Sequence, residues 1–322
     1  MNTSVAIVDV AVGLIVREGQ VLLAKRAEHQ HQGGRYEFPG GKVEAGEAVE
    51  TALHRELNEE LGISILAPQF IQRLTYPYPE KTVRLHVYRI EQFSGDPVGQ
   101  EGQPLHWMAV DQLHELTFPD ANQPIVRAAR LPDRYAITPC WDVAQAEAEG
   151  LVEEELSSWL AEQMIMKETD GWVYVRLPGV SAELYALAVQ KLAILRPDLR
   201  LIAAWDAPDL VNELITGRHL TQSALMTMSE LPRLSIQQYW FAGCHDEASI
   251  CHAAKIGVDA ITLGPVLATP THPEHTGLGW ERFTALARQS DLPVYALGGM
   301  QGRDLTLAKA CGGYGVAGIR FI

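Results

Sequence analysis

The chain has 322 residues, of which 47% are hydrophobic and 20% charged, an ordinary globular balance over a length that calls for two domains. A net charge of −14 argues against polymeric nucleic acid and anionic membrane as partners. No apolar run approaches the ~18 residues of a membrane span.

The first strands are predicted over residues 5–16 and 21–25, apolar and β-branched, with Arg17-Glu18-Gly19-Gln20 between them as a hairpin. A Gly/Pro-rich segment follows, from Gly33-Gly34 to Gly40-Gly41. A helix is predicted at about 47–61, stopped by Gly62. Strands near 69–76 and 82–90, loops around Gly95, Gly99 and Pro104, and a helix at Gln123–Arg130 complete an α+β unit with a mixed sheet. Leu131-Pro132-Asp133 marks the boundary, so the expected domains are 1–131 and 132–322.

Beyond that boundary short apolar runs alternate with helical stretches. The runs are Tyr135–Thr138, Trp172–Leu177, Leu201–Ala204, Arg218–Thr221, Tyr239–Gly243, Asp259–Leu263, Pro293–Leu297 and Gly315–Ile319. Eight runs at this spacing predict parallel βα units closed into a barrel. The fold class is therefore α/β. Four cysteines, at 140, 244, 251 and 311, form no C-x-x-C pair, and Met1 to Val5 does not read as a signal peptide. Both observations lead to the expectation of a cytoplasmic protein with reduced thiols.

Chemistry concentrates on the predicted helix. It is read as carrying Glu47, Glu50, Glu56, Glu59 and Glu60. At about 100° per residue the apolar stripe is Val49, Leu53, Leu57 and Leu61, and Glu60 falls inside it, with Glu56 at its edge. Burying an unpaired carboxylate is expensive, and like charges at helix-neighbour spacing repel. A divalent cation removes both objections, and an all-oxygen donor set suits Mg2+ or Mn2+. Arg55 can lock a carboxylate in place from behind. A metal would also let an acidic protein accept a small anionic substrate.

The run Gly41, Glu47, Arg55-Glu56-Leu57, Glu59-Glu60 and Gly62-Ile63 resembles the Nudix hydrolase signature at every defined position. The resemblance implies an α/β/α sandwich, hydrolysis of a nucleoside diphosphate linked to another group, and metal binding by Glu56, Glu59 and Glu60, one of which helps to activate water. Further segments, Phe38-Pro39-Gly40-Gly41-Lys42, Glu101-Gly102-Gln103-Pro104 with Trp107, and Phe118 to Pro124, resemble the MutT type, the 8-oxo-dGTP diphosphatases of nucleotide-pool sanitation and DNA repair. That resemblance implies a Gly40 carbonyl on the metal and Glu101 as an added ligand or base. It also implies a nucleoside pocket of Arg26, His31, Glu37, Phe38, Pro39 and Asn122, with Tyr78 where the family has Phe. The implied products are a nucleoside monophosphate and pyrophosphate.

In the second half, Gly257 to Pro265, Thr269-Pro270-Thr271 and Ala296 to Met300 resemble the thiamine-phosphate synthase and TenI family, which is a βα barrel. Thr269, Thr271, Gly298 and Gly299 are the candidate phosphate site, with the two glycines forming a nest before a helix. The chain departs from that family's pattern at Pro178, Ala224 and His272, where Lys, Asp and Lys are usual. Two other expectations stay open: hydrolysis of a thiamine-pathway pyrophosphate, and a barrel that senses a phosphorylated metabolite.

Overall fold

The computed structural model describes residues 7–26, 33–143, 152–165, 171–235, 237–269 and 276–319. His31, Pro270, Thr271 and His272 lie outside the described residues, as do the first two residues of the expected first strand. The chain divides into two compact units, Met1–Leu131 and Pro132–Ile322.

In the first unit β1 (Ile7–Arg17) and β2 (Gln20–Lys25) pair antiparallel through Glu18-Gly19, both at positive φ (52° and 74°). Two such residues make the hairpin turn whose twist matches the strands. β1 then serves as a hub. It also pairs antiparallel with β4 (Gly40–Lys42) and parallel with β7 (Thr82–Ile90), so the sheet is mixed as expected. β6 (Gln69–Pro77) flanks β7, β3 (Tyr36–Glu37) and β9 (Leu105–Ala109) both pair with β2, and β5 (Ser64–Leu66) pairs antiparallel with β8 (Gln92–Ser94).

Alternation along β1 points Ala11 and Ile15 toward α1 (Val49–Leu61), whose buried stripe is Leu53, Leu57 and Leu61. The helix ends at Gly62, in the left-handed region at φ 69°, whose N–H bonds to the Asn58 carbonyl. It starts two residues later than the sequence reading placed it. Glu47 is held outside the helix because its carboxylate accepts the Glu44 N–H (3.0 Å). α2 (Gln123–Ala129) follows a short 3-10 turn, Asp120–Asn122.

The second unit is a closed barrel of eight parallel strands: β10 (Arg134–Ile137), β11 (Trp172–Tyr174), β12 (Arg200–Ala204), β13 (Ile215–Leu220), β14 (Tyr239–Cys244), β15 (Ala260–Leu263), β16 (Val294–Leu297) and β17 (Gly315–Gly318). β17 closes on β10. Each strand overlaps one of the eight apolar runs of the sequence. Aromatic rings fill part of the interior: Tyr135 stacks on Phe241 (centroids 4.9 Å), and His219 stacks on Tyr174 (4.4 Å). Tyr135 Oη lies 3.0 Å from His219 Nδ1. Burial, aided by the nearby Arg176 cation, pushes the imidazole down to about 3, so it is neutral.

Candidate active site

Two glycines prepare a seat for the acidic helix. Gly40 has φ 142°, and a β-carbon there would stand 2.1 Å from the Ala11 carbonyl oxygen. At Gly41 a β-carbon would stand 2.1 Å from the Glu56 carboxylate. With no side chains in the way, β4 brings its backbone against two carboxylates. Glu56 rests on Gly41, and Glu60 accepts the Gly40 N–H (3.1 Å).

Arg55 organises the rest. Its Nε and Nη2 donate to the two oxygens of Glu47 (3.0 and 2.9 Å), and Nη1 donates to Glu56 (2.8 Å) and Glu59 (3.2 Å). Nη2 also reaches the Lys42 carbonyl (3.1 Å). The bidentate bond from Arg55, helped by the Glu44 N–H, holds the Glu47 carboxyl below the usual carboxylate range. Those same bonds, Glu47 first and then Glu56, raise the Arg55 pKa.

Glu60 is the opposite case. Burial pushes its carboxyl up to about 7; the Gly40 N–H opposes that, while Glu101, Glu37 and Glu56 add to it. Glu37 is also raised by burial, and its ion pair with Arg26 offsets this in part. Glu101 itself is exposed. Its loop is fixed to the end of α1, because the Glu60 carbonyl accepts the Gln100 N–H (2.9 Å) and the Gln103 side-chain amide (3.2 Å).

A divalent cation suits this arrangement. Among the described residues no three His, Cys, Asp or Glu side chains close into a ready cage. Ions of the Mg2+ type do not need one, since they use one or two carboxylates and keep waters and substrate phosphates. The donors at hand are carboxylate oxygens, and the desolvated Glu60 amid Glu37, Glu56 and Glu101 is the charge problem such an ion relieves.

The proposed nucleoside side has a different character. Phe38 is buried (5% exposed) and stacks on Phe118 at 5.5 Å and 14°. Its ring is therefore mostly committed to a protein neighbour that the sequence reading did not assign to the site. Pro39 is buried too, and its carbonyl accepts the Gly13 N–H (2.8 Å). Tyr78 is half-buried beside Tyr76 (4.9 Å), and its phenol is raised by burial within the electrostatic reach of Asp120, Arg26 and Arg35. Asn122 is half-buried and makes no capping bond to the helix it precedes.

Sequence reasoning also missed a polar cluster on β1 and β7. His86 Nε2 lies 2.7 Å from Asp9 Oδ1, and Arg84 Nε lies 3.5 Å from the same oxygen. The cluster opens onto a cavity of about 630 Å3 lined also by Lys42 and Glu47, and Arg26, Phe38 and Asn122 are not among its lining residues. These contacts join residues 77 and 75 apart in sequence, so no local pattern announces them.

In the barrel, Gly298 and Gly299 have φ 98° and 72° and follow β16. The Gly298 carbonyl accepts the Leu267 N–H (3.1 Å), which ties this turn to the loop bearing Thr269. Both follow parallel strands and so stand at the same mouth of the barrel. Arg176 and Asp206 follow β11 and β12 at that mouth. Arg176 is engaged with Cys140 Sγ (3.1 Å) and Asp206 is exposed.

Residues 8–129 match the NUDIX domain, and residues 135–322 match the thiamine monophosphate synthase family. The chain belongs to both families, the first through its N-terminal unit and the second through its barrel. The N-terminal unit is a Nudix hydrolase, and enzymes of this type need a divalent metal. It is 39% identical over 119 residues to the 8-oxo-dGTP diphosphatase of Escherichia coli (strain K12), covering 37% of this chain and 92% of that protein. The corresponding enzyme of Haemophilus influenzae is 41% identical over 121 residues, 37% of this chain and 89% of that protein. The CTP pyrophosphohydrolase of Escherichia coli (strain K12) is 32% identical over 121 residues, 38% of this chain and 90% of that protein. No helix among the described residues is long and apolar enough to cross a membrane.

Proposed function

We propose that this chain hydrolyses 8-oxo-dGTP to 8-oxo-dGMP and pyrophosphate, using Mg2+ or Mn2+, and so cleans the nucleotide pool. The observation that carries the hydrolytic part is the seating of Glu56 and Glu60 on the bare backbone of Gly40–Gly41. The identity to 8-oxo-dGTP diphosphatases supports the choice of substrate.

Glu56, Glu59, Glu60, Glu101 and the Gly40 carbonyl would hold the ion. When bound, the ion neutralises phosphate oxygens and so eases in-line attack of water on an internal phosphorus. Arg55, bonded to both, keeps Glu56 and Glu59 aimed. The attacking water gives its proton to a carboxylate of the cluster. The bridging P–O bond between the α- and β-phosphorus breaks, the attacked phosphorus keeps the new oxygen, and nucleoside monophosphate and pyrophosphate leave.

Base choice falls to Asn122. Ordinary guanine offers two acceptors, N7 and O6, on its major-groove edge. An amide has one acceptor and one two-hydrogen donor and cannot satisfy both. Oxidation at C8 puts a hydrogen on N7, and the amide then pairs with both atoms. Such a bidentate contact is worth about 1–3 kcal/mol of discrimination, or roughly 5- to 150-fold.

The test is pyrophosphate release from 8-oxo-dGTP, dGTP, CTP and thiamine-pathway pyrophosphates by wild type and Asn122→Ala. The expected result is a wild-type preference for 8-oxo-dGTP that Ala reduces by at least fivefold. Equal turnover of 8-oxo-dGTP and dGTP by wild type rejects the substrate assignment.

A further inference from the structure

Asn122 selects a base only if its amide is held still, and its own segment supplies little rigidity. The turn Asp120–Asn122 is a three-residue 3-10 piece, closed by the Asn122 N–H on the Pro119 carbonyl (2.9 Å). Pieces this short have poor hydrogen-bond geometry and persist through outside contacts. The segment ahead of it, Thr117 to Pro119, belongs to no strand or helix.

Its outside contacts converge on the strand that leads into Phe38. The Tyr36 N–H donates to the Thr117 carbonyl (3.0 Å). Phe118 is 2% exposed and stacks on Phe38. Arg35, which lies outside the Nudix signature, donates from Nη1 to the Phe118 carbonyl (3.2 Å) and stands 3.9 Å from Asp120 Oδ1. The arginine thus reaches across 83 residues to the backbone just ahead of the turn.

We propose that Arg35 is the positioning residue for base selection, pinning the Phe118–Asn122 segment so that the Asn122 amide faces the base edge. The inference rests on the function proposed above. Between the Phe118 carbonyl and Asp120, the bond to the carbonyl carries the effect. Asp120 is 69% exposed and its ion pair is long, and exposed pairs contribute little. The carbonyl belongs to a buried residue and cannot swing away. A planar guanidinium also fixes direction better than an ammonium does. A displacement of about 1 Å is enough to spoil a two-point contact. Tyr78 and Asp120 share this corner, so Arg35 adds positive charge beside the pocket.

The experiment measures kcat and KM for 8-oxo-dGTP and dGTP in the full chain, in wild type, Arg35→Ala, Arg35→Lys and Asp120→Ala, with thermal melting as a control for folding. For Arg35→Ala the ratio of kcat/KM between the two nucleotides should fall at least tenfold. That fall should come through a raised KM for 8-oxo-dGTP, with kcat within threefold of wild type. Arg35→Lys, with one donor, should recover part of the ratio, and Asp120→Ala should stay within twofold of wild type. A ratio unchanged in Arg35→Ala overturns the proposal. So does an equal loss of kcat on both nucleotides, which would place Arg35 in the hydrolytic step. If Arg35→Ala does not melt cooperatively, Arg35→Met, which keeps the aliphatic stem, is judged by the same criteria. If wild type shows no preference for the oxidised nucleotide, the functional reading fails. Arg35 is then judged on KM for the triphosphate turned over best: a rise with kcat kept supports positioning, and no rise overturns it.

Discussion

The carboxylate of Glu56 lies where a β-carbon on residue 41 would be, 2.1 Å from that point, so Gly41 and Glu56 fit together through the absence of a side chain. Gly41→Ala should therefore push Glu56 off β4. Because the displaced atoms are the end of a flexible side chain, the fold should survive. The expected outcome is at least a tenfold loss in kcat/KM with a cooperative melt, read by metal-dependent pyrophosphate release and calorimetry. Full activity in this variant would show that Glu56 has no need of its seat.

Glu60 links stability to pH. Its carboxyl sits at about 7 in the folded chain against an ordinary 4.5, so the folded state keeps a proton that the unfolded state releases. Stability from this group consequently falls as pH rises from 4.5 toward 7. In chelator, Glu60→Gln should melt above wild type at pH 8, and the difference should close toward pH 4.5. Saturating Mg2+ should narrow or reverse the gap at pH 8 while the variant stays inactive. Parallel melting curves at all pH values would remove Glu60 from this role.

Arg55 binds three carboxylates at once, so its loss should be felt in the metal rather than in the nucleoside. Groups that orient metal ligands typically contribute 10- to 100-fold in affinity or activity. Arg55→Ala should raise the Mg2+ concentration for half-maximal activity by about that factor. The preference for 8-oxo-dGTP over dGTP should remain. Lys at this position should restore little, because one ammonium cannot serve Glu47 with two parallel bonds. A titration of activity against Mg2+ decides the matter.

The barrel should not make thiamine phosphate. Pro178 supplies no cation and Ala224 no ligand at positions where the family uses Lys and Asp, and Arg176 is turned onto Cys140. Full-length protein incubated with the two usual precursors and Mg2+ should give no product by chromatography. Robust synthesis would mean that other residues at the barrel mouth replace the missing pair.

Much of this was readable from local pattern. The apolar stripe of α1 and the eight strand runs of the barrel depend on periodicity, which a sequence carries openly. The placement of Glu60 within the stripe foretold its desolvation. Other features depend on partners far along the chain. Gly40–Lys42 reads as a loop because glycine disfavours strands, yet it is a strand, since β1 pairs with it. Leu105–Ala109 likewise takes its strand character from β2. Phe38 reads as a pocket wall, and only the folded chain reveals Phe118 against it. Arg35, with its acceptor 83 residues away, had no local signal at all.

One carbonyl has a consequence for how this enzyme tolerates change. Glu60 turns its side chain to the Gly40 N–H and its backbone oxygen to Gln100 and Gln103 on either side of Glu101. The two acids are thus geared together, although 41 positions separate them in the chain. Substitutions at the exposed Asp96 and Val98 can be absorbed as long as the number of residues is kept, whereas Gly95, at φ 95°, and Gly99, whose β-carbon would stand 2.0 Å from the Gln103 carbonyl oxygen, must stay glycine. An insertion or deletion there would slip the gear by a tooth and part the acids. For anyone grafting this loop between relatives, its length and its two glycines matter more than the rest of its composition.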